Sequence, residues 1–223
     1  MPEIPNEAWR VDYAKFAQTL CGMDYKTAAA DARKWLHFDW EETYIARTPF
    51  PNDIVLFDRG EITYCIDCRF EPDMRLIAGK EFVPILPEQI KKEGRLVVAF
   101  GFSRPVTAKH PSSSGTGMRG FIGRTEKYLG ADYDKGHFIG HKLGGDLNWN
   151  LFPQLREINR GRSTAGKQFV QMERFCRDNP GTFFFSRPLY SDFTSRPNAL
   201  EFGILKKNLS FWVAIFPNVI NTK

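Results

Sequence analysis

Asp134-Lys135-Gly136-His137-Phe138-Ile139-Gly140-His141, then Leu143-Gly144-Gly145, Asn150-Leu151-Phe152-Pro153-Gln154 and Asn159-Arg160-Gly161, form the most informative stretch of this 223-residue chain. A histidine with an ordinary pKa near about 6.5 can take a proton from water at neutral pH. A neutral Asn oxygen can hold a hard cation without cancelling its charge. Gly136 has no side chain, so the backbone just before His137 could lie close to a bulky polyanion. These residue types suit one-metal phosphodiester chemistry.

The same residues, in the same order, resemble the DNA/RNA non-specific endonucleases, which share the ββα-metal fold. The family signature is Asp-Arg-Gly-His, then Asn-x-x-Pro-Gln and a second Asn nine positions after the first. Asn150 and Asn159 keep that spacing, whereas Lys135 stands where the family usually has Arg. The resemblance covers roughly residues 95–218, a little over half the chain. It implies an α+β fold: a ββα-metal core with a mainly antiparallel sheet, preceded by a small helical and β-hairpin region. It also implies a divalent-metal-dependent endonuclease that cuts DNA, with RNA as a further substrate, by contacting backbone rather than bases.

Carried over residue by residue, His137 is the general base that removes a proton from the attacking water. Asn159 is the direct protein ligand to Mg2+ or another divalent cation such as Mn2+; an Asn capping the following helix is compatible with that role. Asn150 either positions His137 and its water network or forms a turn. Asp134 bonds either to backbone or to a metal-bound water. Lys135 would meet the phosphate as a point charge rather than as the two-pronged donor that Arg provides. The family has an acidic residue eight positions after the metal-binding Asn, but position 167 is lysine. Glu173 becomes its counterpart, an acid at the metal that holds metal-bound water, if residues 162–167 are a six-residue insertion, and its alternative is an ordinary solvent-facing Glu. His141 would share a strand face with His137, either facing the substrate or serving the structure. Arg156 and Arg160, together with Arg119 and Arg124 beside a Gly- and Ser-rich loop at 109–120, are the candidate phosphate contacts.

Working outward, 42% apolar residues suffice for one substantial core or two small ones, and a net charge of +5 favours polyanions without demanding them. The first residues lack the basic start and apolar run of a secretory signal, and no stretch reaches the roughly 18 apolar residues of a membrane span. The expectation is a soluble protein, either cytoplasmic or exported without a cleaved signal peptide. Four cysteines do not make a disulfide framework at this length, and reduced thiols are expected. Cys65-Ile66-Asp67-Cys68 invites a zinc reading, but on a strand residues three apart face opposite sides, and no second pair completes four ligands. Structural cysteines are the expectation there.

Apolar spacing predicts helices over 7–20 and 25–38, strands at 54–57 and 61–70 around an Asp58-Arg59-Gly60 turn, and a buried strand over 96–102. Residues 132–140 should place His137 on the second strand of the ββα unit. A helix over 168–176 ends at Asn179-Pro180-Gly181, and strands at 182–189, 200–205 and 210–216 close the domain, the last two joined by a tight Lys206-Lys207-Asn208 turn. A charged run at 91–95 suggests a boundary between an N-terminal region, 1–90, and the nuclease-like domain, 91–223, the alternative being a single continuous fold. A broad nuclease endangers its own cell, which points to a toxin effector or defence nuclease. Residues 1–90 would then dock an immunity protein, a secretion apparatus or a regulator. The competing reading is a catalytically weak nucleic-acid- or partner-binding protein on a degenerate nuclease core.

Overall fold

The computed structural model describes residues 11–47, 53–67, 75–77, 81–83, 95–104, 130–145, 150–191 and 196–220. The elements run α1 Tyr13–Thr19, α2 Tyr25–Ile45, β1 Ile54–Arg59, β2 Ile62–Asp67, β3 Arg75–Ile77, β4 Glu81–Val83, β5 Arg95–Phe102 and β6 Tyr133–His137. They continue with β7 Leu151–Leu155, α3 Arg156–Asn159, α4 Thr164–Asp178, β8 Phe183–Leu189, β9 Ala199–Leu205 and β10 Phe211–Pro217. The fold is α+β with an antiparallel main sheet in the order β1-β2-β5-β8-β9-β10. The expected boundary near residue 90 falls between β2 and β5, neighbours in this sheet. No helix among the described residues is long and apolar enough to cross a membrane.

Strand alternation sorts the core onto the two sheet faces. Tyr64, Leu96, Phe184, Phe202 and Ile204 pack on one face with Phe138, Phe152, Phe169 and Met172. Cys65, Val97, Phe100, Phe183 and Phe185 pack on the other with Ala28, Ala32, Leu36 and Trp40 of α2. Because both faces are covered, the central strands read as nearly continuous apolar runs. Gly203 lies opposite Phe185, and a Cβ there would overlap the ring. Tyr25 fastens the start of α2 to the sheet: its hydroxyl donates to the Leu205 carbonyl at 2.9 Å and accepts from the Phe183 N–H at 2.7 Å.

Several elements depart from the sequence expectations. α2 continues to Ile45, one long helix whose buried side includes Trp40 and Tyr44 beyond the expected end. β1 and β2 turn at Gly60 and Glu61, with Gly60 at φ +64°. The β9–β10 connection is not a three-residue turn. It spans 206–210, closed by Lys206 N–H to the Ser210 carbonyl at 2.9 Å, with Leu209 at φ 64°. Cys21, Cys65 and Cys176 are free thiols, while Cys68 lies outside the described residues.

Candidate active site

β6 and β7 pair antiparallel, Tyr133 opposite Leu155 through His137 opposite Leu151, and α3 and α4 follow. His137 therefore ends the first strand of this pair, not the second. The second strand is hidden by Pro153, which removes one N–H but is tolerated in a ribbon that has only two strands among the described residues. Asn159 closes the one-turn helix α3, five residues before α4 begins at Thr164. Residues 162–167 are largely spent starting α4, where the Ser163 side chain accepts from the Gly166 N–H at 3.0 Å.

His137, His141, Gln154, Asn159 and Glu173 border one cleft of about 560 Å³, joined by Lys142, Arg174 and Arg177. The rim is cationic apart from Glu173, which suits an anionic ligand. Burial, with the charge of neighbouring His141, depresses the His137 pKa to about 4, so the imidazole is neutral at pH 7. Its Nε2 is buried without a hydrogen-bond partner. His141 begins a one-turn 3₁₀ helix, His141–Leu143, rather than continuing the strand. It reaches the cleft by that turn, not by the alternation expected of it.

Glu173 meets the cleft from α4 and lies against Gly140, where a Cβ would collide with its carboxylate. Burial pushes its carboxyl up to about 7, against the pull of Lys142. It is not solvent-facing in the ordinary sense.

Asp134 is buried but does not line the cleft. Burial alone would raise its carboxyl, yet bonds from Arg160, Arg156 and Asn159 hold it below the usual carboxylate range. Arg160 donates from Nε at 2.6 Å and from a terminal nitrogen at 2.9 Å, and Arg156 from Nε at 3.1 Å. Asn159 Nδ2 points to the same carboxylate at 3.4 Å. An ionised carboxylate only accepts, so this contact turns the amide nitrogen toward Asp134 and the oxygen, the atom a hard cation takes, the other way. Asp134 thus orients Asn159 and draws on Arg156 and Arg160, expected at phosphates. Arg156 also borders a separate cleft of about 480 Å³ with Asp132, Glu157 and Arg162.

Asn150 is fully buried and clamps the residues that follow His137. Its oxygen accepts from Ile139 N–H and its nitrogen donates to the Ile139 carbonyl, each at 2.8 Å. The Phe138 N–H donates to the Asn150 carbonyl at 2.9 Å. This is a positioning contact. Removing the side chain in Asn150→Ala leaves two buried backbone groups of Ile139 unsatisfied, at roughly 1–3 kcal/mol each. Chemical denaturation should show a loss of about 2–4 kcal/mol; a change below about 0.5 kcal/mol would contradict the clamp.

Gly136 does not hold its backbone open for a polyanion. The space above it is filled by Gln154, whose side chain a Cβ would strike. Gln154 is the site residue that sequence reasoning missed as a functional group: it lines the cleft, and both its amide oxygen and nitrogen are buried without hydrogen-bond partners. The Pro-Gln pair was a motif element without a role, because Pro153 concealed the strand that aims Gln154 across Asp134. Lys135 lies two residues before His137, half-buried and opposite Pro153, and is not among the cleft residues. Arg119 and Arg124 lie outside the described residues.

No family model matches the chain, and no curated protein matches it. Among solved structures, the chain is similar to one described as Sda1 nuclease with bound zinc ion, at 18% identity and a TM-score of 0.35. The match spans 41% of this chain and 40% of that one, an extent and score that establish neither family nor activity.

Proposed function

We propose that this protein is a divalent-metal-dependent endonuclease that hydrolyses phosphodiester bonds of DNA, and of RNA as a second substrate, with little sequence preference. The observation that carries this reading is the meeting, in one cationic cleft, of a neutral, half-buried imidazole with an amide oxygen and a carboxyl group from two different helices. His137 receives the proton of the attacking water at Nε2, the atom without a partner. Asn159 and Glu173 would hold the cation, a sparse oxygen set that suits magnesium, which keeps most of its waters. The metal, when bound, stabilises charge on the phosphoryl oxygens and the leaving oxygen. Asp134 fixes the Asn159 amide, Asn150 fixes the chain after His137, and Lys142, Arg174 and Arg177 supply cations for neighbouring phosphates.

The test is nicking of supercoiled plasmid, and cleavage of single-stranded RNA, by purified protein. Activity should require Mg2+ or Mn2+, disappear in EDTA, and return when the metal is restored. Asn159→Ala should demand a higher metal concentration for the same rate. Cleavage indifferent to EDTA would rule out the metal reading, and salt-sensitive nucleic-acid binding without cleavage under any divalent ion would favour the degenerate-core alternative.

A further inference from the structure

The face of the sheet opposite the cleft carries a cluster of side chains of metal-ligating type. His37 and Glu41 stand four residues apart on α2, one above the other on a single helix side. The His37 Nε2 and a Glu41 carboxylate oxygen are 3.1 Å apart. Beneath them, Cys65 projects from β2, and one ligand atom from each of the three lies within 4.8 Å of the others. Cys65 is fully buried and sits where the β2–β5 register shifts, the kind of bulge that re-aims a side chain. His37 Nε2 is buried and makes no hydrogen bond of proper geometry, despite its nearness to Glu41. An imidazole nitrogen buried 3.1 Å from a carboxylate oxygen and close to a thiol, with no hydrogen bond to either, is placed to share a ligand with both.

We infer that His37, Glu41 and Cys65 form a zinc site that staples α2 to the central sheet. Two ligands held about 2.0–2.1 Å from one tetrahedral zinc are themselves about 3.3 Å apart, close to the His37–Glu41 separation. Sulfur, imidazole and carboxylate together select a borderline-soft ion and disfavour magnesium or calcium, which want oxygen alone. Three protein ligands leave one tetrahedral position for water. The Cys65-x-x-Cys68 spacing that invites a zinc reading is not the basis of this site. Its other two ligands come from a helix distant in sequence. The site is independent of the nuclease reading: Cys65 packs with the α2 core, whereas the cleft residues pack across the sheet.

The test uses the full chain, dialysed free of metal and titrated with Co2+ and then Zn2+. One equivalent of Co2+ should give a thiolate-to-cobalt charge-transfer band that zinc displaces, and zinc should raise the Tm. The band should be lost in Cys65→Ser and retained in Cys21→Ser and Asn159→Ala. His37→Ala and Glu41→Gln should weaken Zn2+ binding by at least the roughly 10–100-fold that even an outer-shell partner costs. Glu41 is partly exposed on α2, so Glu41→Gln remains informative if Cys65→Ser fails to fold. A band that survives Cys65→Ser, zinc affinity unchanged in folded Glu41→Gln, or no thiolate band at any Co2+ concentration would each overturn the site.

Discussion

His137→Ala is expected to lower the rate of plasmid cleavage by about 10²- to 10⁴-fold, the usual contribution of a positioned general base. The protein should remain folded, because the strand end is held by pairing of His137 with Leu151 and by the Asn150 clamp, neither of which uses the imidazole. Circular dichroism and Tm should change little, separating lost chemistry from lost structure. The pH profile gives an independent signature. Burial and the His141 charge depress the His137 pKa to about 4, so the base stays neutral well below the ordinary histidine midpoint. At saturating metal, which keeps Glu173 ionised although its carboxyl otherwise lies at about 7, the acid limb of kcat/KM set by His137 should lie below about 6.5 and vanish in the variant's residual activity. Wild-type rates in a folded His137→Ala protein would remove the imidazole from the mechanism.

Glu201→Ala should destabilise the fold by about 3–5 kcal/mol, the cost of stripping one partner from a buried ion pair. Arg187 and Glu201 face each other on β8 and β9, almost completely buried, with Nε to carboxylate oxygen at 2.6 Å. Tyr13 of α1 donates to the same carboxylate at 2.9 Å, tying that helix to the sheet. Burial alone would lower the Arg187 pKa, but Glu201, Tyr13 and Asp39 keep the guanidinium firmly charged. Removing Glu201 leaves that charge in the core without its main counterion. For a chain of this size each kcal/mol moves Tm by roughly 2–4 °C, so a fall of about 6–20 °C is expected by calorimetry. Arg187→Met combined with Glu201→Leu should recover much of the loss, because the penalty belongs to the stranded charge. A single-variant cost below about 1 kcal/mol would mean that water or another group solvates Arg187.

Legibility in the sequence followed the range of the interaction. α4 and the strands around Phe100, Phe184 and Phe202 announced themselves by apolar runs and by breakers such as Asn179-Pro180-Gly181, since burial on a sheet or helix face has a local period. Glu173 is legible only by allowing a six-residue insertion, and its place at the cleft with His137 and Asn159 comes from the tertiary structure. β7 was missed because Pro153 contradicts strand propensity, and with it the position of Gln154. Asp134 was ambiguous for another reason: which donors reach a carboxylate depends on how α3 folds back on β6, and no spacing rule encodes that.

By itself the sequence determined the α+β class and singled out His137, Asn150 and Asn159, because they lie within one short segment; the structure sets His137 and Asn159 on the cleft and spends the Asn150 amide on Ile139. The tertiary structure alone decided the pairings of charge and of possible ligands. It set Glu201 against Arg187, brought Lys142, Arg174 and Arg177 to the cleft, and placed His37 and Glu41 over Cys65. Periodicity tells which side of a strand or helix is buried, but not which side chain on another element it will meet. For a charge or a metal ligand, whose energy depends on a partner within a few ångström, that meeting decides the chemistry.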